Sequence, residues 1–224
     1  MSRGKFIAID GTDGSGKETQ VNLLVERLQR DGYNVAKADF PRYTHWSSEF
    51  VKKYLHDEFG KATDVPAKTA SIFYAVDRYA ASFDIRRLLE EGNLVIANRY
   101  TAANKGHQLG KIKEEAGRRE FLAWLNDLEY RIFDIPIPDL TLFLHMDAAI
   151  GQRLAAERDS REGKKLDSHQ RDINHLRKAE EAYLFCLEND TVENWRRIVC
   201  FADDAPSAIP VIHEEVYRVV KEIL

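Results

Sequence analysis

Apolar residues follow two rhythms along the chain. Phe6-Ile7-Ala8-Ile9 is an unbroken run that ends at Asp10 and Gly11, whereas beyond Lys17 the apolar positions Val21, Leu24, Val25 and Leu28 recur at helical spacing up to Gly32. The first predicts a strand, the second a helix, with a loop between. The alternation then repeats. Strands are expected over 35–40, 94–97, 140–146 and 197–201, and helices over 48–59, 67–90 (closed by Gly92), 114–133, 151–157, 168–188 and 209–223. Ile135-Pro136-Ile137-Pro138 breaks the helix before it, a loop surrounds Gly110, and 158–166 is charged and poor in apolar residues. Strands alternating with helices imply right-handed crossovers and an α/β fold, in which a largely parallel sheet carries helices on both faces. Ligands of such sheets sit beyond the carboxyl ends of the strands.

The 224 residues are enough for one good core, and no repeat, low-complexity tract or linker divides them. A formal net charge of -4 with both signs interspersed repels nucleic-acid phosphate in bulk, so no nucleic-acid partner is expected and any phosphate binding must be local. Cys186 and Cys200 supply neither a disulfide framework nor zinc-ligand spacing. No apolar run approaches the roughly 20 residues of a membrane helix, and Met1 to Lys5 lacks a leader pattern. A cytoplasmic protein without a membrane partner is the expectation.

Between the first strand and the first helix stands Gly11-Thr12-Asp13-Gly14-Ser15-Gly16-Lys17, the G-x-x-x-x-G-K part of a nucleotide-phosphate loop. Its glycines let successive backbone N–H groups face inward, the helix N-terminus adds partial positive charge, and Lys17 can reach the β- and γ-phosphates. Where Ser or Thr normally offers Mg²⁺ a hydroxyl, this chain has Glu18, with Thr19 one place later. Glu18 can serve the ion or its waters, or simply favour a helix's first turn.

With Gly-Thr-Asp-Gly-Ser-Gly-Lys-Glu-Thr-Gln at 11–20, Phe40-Pro41-Arg42-Tyr43, Tyr74-Ala75-Val76-Asp77-Arg78, Asn98-Arg99-Tyr100, Asn104 to Gln108 and Pro138-Asp139, the chain resembles the thymidylate kinase family over nearly its whole length. The resemblance implies a P-loop NTPase fold: a five-stranded parallel sheet flanked by helices on both faces. One domain would span 1–224, with a short lid at about 156–168. It also implies transfer of the γ-phosphate of ATP to dTMP with Mg²⁺ as cofactor, and a homodimer built on the helices beginning at Ala67 and Glu114.

The family's site residues map onto this chain as follows. Gly11 to Thr19 would bind ATP, with Asp13 also approaching the acceptor and, with Glu18, the metal. Arg42 and Arg99 would grip the acceptor's 5′-phosphate, for which a planar guanidinium fork is suited, and Tyr43 would add a hydroxyl. Phe40 and Gln108 join the acceptor set. Tyr74 and Arg78, four apart on one helix, share a face; by resemblance Tyr74 stacks on the pyrimidine and Arg78 bonds O4, an acceptor in thymine or uracil where cytosine presents a donor. Asn104 would contact the base edge. His107 would border the sugar and disfavour a ribose 2′-hydroxyl, and Ala103 stands where a family serine can occur.

A nucleoside monophosphate is largely dianionic at neutral pH, its second pKa being about 6, so its oxygen is already nucleophilic and needs no general base. Catalysis becomes positioning and charge stabilisation by Lys17, Arg99 and mobile arginines, for which Arg153, Arg158 and Arg161 are candidates. The resemblance implies a catalytic arginine from either the loop or the lid; Gly14 and Ser15 exclude the first, so the burden falls on Arg158 or Arg161. The family's Asp-Arg-Tyr is Asn98-Arg99-Tyr100 here, so an acid is lost at Asn98 while one is gained at Glu18; Asp167 is a further lid-side acid. Two alternatives stay open: another pyrimidine (deoxy)nucleotide kinase, with specificity shifted at Tyr74, Ala103 and His107, and a catalytically weakened nucleotide-binding protein.

Overall fold

A computed structural model describes residues 3–162 and 173–224, with only the backbone of Asp159, Arg161 and Glu162. Five strands, β1 (Phe6–Gly11), β2 (Val35–Asp39), β3 (Leu94–Asn98), β4 (Leu140–His145) and β5 (Trp195–Val199), form one sheet in the order β2-β3-β1-β4-β5. Every neighbouring pair is parallel, with Ile7 opposite both Ile96 and Leu140. Parallel strands need crossovers, and helices supply them on both faces. These are α1 (Lys17–Arg30), α2 (Glu49–Leu55), α3 (Ala67–Glu90), α4 (Thr101–Leu109), α5 (Glu115–Asn126), α6 (Ala148–Glu162), α7 (Ile173–Asn189) and α8 (Ile209–Lys221).

The period of two along each strand divides the core. Ile7, Ile9, Leu94, Ile96, Leu142 and Leu144 point to one face, where Val21, Leu24 and Leu28 of α1 and Val216 and Val220 of α8 meet them. On the other face Phe6, Ala8, Val95 and Ala97 pack against Ile85 and Leu89 of α3, while Phe143 packs against Ala102 of α4 and Tyr183 of α7. Both faces being covered explains why the strands read as continuous apolar runs rather than as alternation.

Several elements differ from the sequence expectation. Residues 101–109, to which the sequence pattern assigns no element, form α4. The helix expected over 114–133 ends its α-helical part at Asn126 and continues as a π-turn, Asp127–Ile132, which carries Glu129 inward to full burial. The helix expected over 151–157 runs from Ala148 to Glu162, so the expected lid begins inside it; the rest of that lid, including Asp167, lies outside the described residues. The last strand starts at Trp195 rather than Arg197 and is followed by a small hairpin, Phe201–Ala202 with Ala205–Pro206.

Candidate functional site

The phosphate loop occupies the carboxyl end of β1, the central strand, and hands over to α1 at Lys17. Gly14 takes φ 78°, and a side chain there would run into the Gly151 backbone of α6; a Cβ at Gly151 would in turn lie 2.6 Å from the Asp13 carbonyl oxygen. The loop and α6 therefore touch backbone to backbone. The Lys17 side chain is folded over the loop, its Nζ donating to the Thr12 carbonyl (2.7 Å) and the Ser15 hydroxyl (3.4 Å). Burial, then the Arg99 charge, pushes the Lys17 ammonium down to about 7 against the opposing pull of Asp13 and Asp10. Glu18 and Thr19 are exposed in the first turn of α1.

Arg99 follows β3 in a left-handed backbone conformation, φ 63°, which non-glycine residues seldom adopt. Its guanidinium donates to Asp13 of the loop (2.6 Å) and to Nε2 of His107 on α4 (3.3 Å), and lies 3.6 Å from Asp10. Because arginine stays charged, Nε2 must accept, so His107 is neutral with its proton on Nδ1; burial and the Arg99 charge lower its pKa well below the ordinary histidine value. Burial would raise the Asp13 carboxyl, but Arg99 and Lys17 outweigh it and hold the group ionised.

On the other side of Arg99 opens a cavity of about 180 Å³, whose wall includes Asp13, Phe40, Tyr43, Tyr74 and Arg78. Asn104, His107 and Gln108, from α4, complete the predicted part of its lining. Arg78 is fully buried and anchored from behind: its guanidinium makes a bidentate pair with Glu129 and donates to the Tyr100 carbonyl (3.2 Å). Asn104 donates to the Ser71 carbonyl (3.1 Å), and the Gln108 amide bonds the Tyr54 hydroxyl while its Oε1 is buried without a partner. Arg42 stands outside this cavity, in an adjoining groove. Its Nε donates to Asp77 (3.0 Å) and its Nη2 to the Ser47 hydroxyl (2.9 Å). Arg158 is exposed on α6 and its charge reaches Lys17; the Arg161 side chain lies outside the described residues.

Sequence reasoning missed several residues of this site. Asp10 is fully buried; it accepts from the Gly11 amide (2.8 Å) and the Tyr183 hydroxyl (2.8 Å), fixing the start of the loop. An acid closing an apolar strand was the available signal. His175 of α7 stacks on His107 with centroids 5.6 Å apart and also lines the cavity, as do Tyr54 and Tyr100. No spacing marks these; only the tertiary fold gathers them. Behind α4, Lys105 is fully buried between Asp190 (2.6 Å) and Glu193, and Glu193 also accepts from Thr101 (2.8 Å), Tyr130 (2.6 Å) and Thr141 (2.5 Å).

A glycine loop with its lysine at the end of the central parallel strand, facing an enclosed polar-aromatic cavity across one arginine, defines a P-loop nucleotide kinase. Comparison with known proteins resolves the family. The Thymidylate kinase family model matches residues 9–196. A thymidylate kinase of Mycobacterium tuberculosis is 31% identical over 169 residues, 75% of this chain and 78% of its own. One from Halothermothrix orenii is 29% identical over 224 residues, 99% of each chain. The solved thymidylate kinase of Candida albicans superposes with a TM-score of 0.71 at 21% identity, covering 99% of this chain and 93% of its own, and so supports the fold. The chain belongs to the thymidylate kinase family.

Proposed function

We propose that the protein transfers the γ-phosphate of ATP to the 5′-phosphate of dTMP, yielding dTDP. The observation that carries the acceptor choice is a buried donor and a buried acceptor among the residues that line one cavity. Arg78 offers N–H groups, which suit a pyrimidine O4, and the Gln108 Oε1 lacks a donor, which an N3–H supplies. Thymine and uracil carry that pair; cytosine reverses both. Tyr74 is the stacking surface, Asn104 a base-edge contact, and Phe40 and Tyr43 border them. His107 borders the sugar.

Arg99 lies between the phosphate loop and the cavity, which suits it to bridge the acceptor and transferring phosphates, with Arg42 closing on the acceptor phosphate from the adjoining groove. The Gly11 to Thr19 loop cradles the donor. Lys17 meets the donor's β- and γ-phosphates, and Arg158 or Arg161 approaches from the lid side at 156–168 of what we read as one domain, 1–224. For Mg²⁺ the residues present fit: Asp13 and Glu18 are hard oxygen donors at the loop, and the buried Thr12 hydroxyl beside them lacks a partner. Bound there, the ion would neutralise charge on the donor phosphates.

Ile72, Tyr79 and Phe83, 40%, 42% and 58% exposed, line one face of α3, and we assign this apolar stripe to a homodimer contact. No described helix is long and apolar enough to cross a membrane, and two buried free thiols suit a reducing cytoplasm. Incubation with ATP, Mg²⁺ and, separately, dTMP, dUMP, dCMP or thymidine tests the reading. Preferred dTDP formation is expected. Product only from another acceptor would move the substrate, and ATP binding with no product would favour a nucleotide-binding protein without turnover.

A further inference from the structure

Beyond the site, buried His145 and half-buried Glu180 form a relay that the chemistry above does not use. His145 ends β4. Its Nδ1 accepts from Nε of Arg197 on β5 (2.9 Å), which requires the proton on Nε2, and Nε2 meets Oε1 of Glu180 on α7 (2.7 Å). The ring is held between Phe143 (centroids 5.2 Å) and Phe201 (5.3 Å), so it has no room to turn away. The other Glu180 oxygen, Oε2, accepts from the amide of Ala148, the first residue of α6 (3.0 Å). One turn later Gly151 abuts the Asp13–Gly14 backbone of the phosphate loop, and beyond it on α6 stand Arg153, which donates to the Asp204 carbonyl (3.4 Å), and Arg158, whose charge reaches Lys17.

We propose that His145 and Glu180 are positioning residues for the phosphoryl donor. They clamp the first turn of α6 so that Gly151 shapes the phosphate loop and Arg158 stays within reach of the donor site beside Lys17. This rests on the kinase reading. The relay does not touch the acceptor cavity, so loss of the clamp acts on ATP and spares dTMP.

The test compares wild type, Glu180→Ala, His145→Ala and the double variant, with His145→Asn as a gentler change that keeps an acceptor near Arg197 but loses the contact to Glu180. Circular dichroism and thermal melting establish folding. The expected result is a KM for ATP and an ATP dissociation constant raised about tenfold, a lowered kcat, and a KM for dTMP within about twofold of wild type. If His145 acts through Glu180, the double variant is no worse than Glu180→Ala. Unchanged ATP affinity in folded Glu180→Ala and His145→Asn, or equal rises in both KM values, would overturn the proposal. Wild-type enzyme that binds ATP yet forms no dTDP would instead overturn the kinase reading, and the ATP dissociation constants would still decide the clamp.

Discussion

The two halves of the cleft are held by different physics. Behind the acceptor cavity lie buried pairs of opposite charge, Arg78 with Glu129 and Lys105 with Asp190 and Glu193, and beside it the half-buried pair of Asp77 with Arg42. Each fixes a side chain or helix that lines the cavity or adjoins it. The donor half shares one ion pair, Asp13 with Arg99 (2.6 Å), but closes on backbone contact, Gly14 against Gly151, and Lys17, buried at the loop, bonds a carbonyl and a hydroxyl rather than a carboxylate. The acceptor wall is thus anchored without ligand, with Gln108 Oε1 left for one to satisfy, whereas the donor half keeps a desolvated charge in reserve for an anion.

The largest effect should come from removing that charge. Lys17→Met is expected to lower kcat by about 10³-fold in a dTDP assay while leaving dTMP affinity within a few-fold. The same residue gives the pH signature. Its folded pKa, about 7, lies below the ordinary lysine value of 10.5, so between these values the unfolded chain holds the extra proton and this group makes the fold more stable as pH rises. Phosphate binding restores the proton, so ATP titrated at pH 8 in buffers of different ionisation enthalpy should show uptake of up to about one proton, and Lys17→Met should abolish it. A proton count of zero in wild type would mean that Lys17 is already charged without ligand.

On the acceptor side the expected loss is of stability first. Glu129→Ala leaves Arg78 buried and uncompensated, which should cost about 3–5 kcal/mol in urea unfolding and weaken dTMP binding in the folded remainder. A cost below about 1 kcal/mol would mean that the pair does not carry the wall. The smallest effect concerns the metal. Asn98 donates to Asp39 across the strand ends (3.0 Å), and Glu18→Thr exchanges one oxygen donor for another, so Asn98→Asp and Glu18→Thr should each shift the Mg²⁺ requirement by no more than about threefold. A double variant that departs from additivity would indicate that the two positions share the ion.

The alternation of apolar runs and helical spacing was enough to place all five strands and the phosphate loop, because both rest on local patterns. It failed at α4, whose buried face carries Asn104, Lys105 and Gln108. Their burial is made tolerable by Ser71, Asp190, Glu193 and Tyr54, all distant in sequence, and no periodicity encodes that. Glu129 was hidden for the same reason, and a π-turn turned it inward. The predicted residues Tyr74, Arg78, Arg99, Asn104, His107 and Gln108 do converge on one cavity with Asp13, whereas Arg42 stands one groove away. His175, Tyr54 and Tyr100 joined them unannounced.

The central claim is that the acceptor wall is built before the donor arrives and reads a 4-oxo pyrimidine. Calorimetric titration of dTMP and of dCMP into nucleotide-free enzyme, without ATP or Mg²⁺, tests it most directly. The account predicts saturable 1:1 binding of dTMP and at least about tenfold weaker binding of dCMP, since Arg78 and Gln108 would each face a like group. Equal affinity for both, or no dTMP binding until ATP is added, would contradict it.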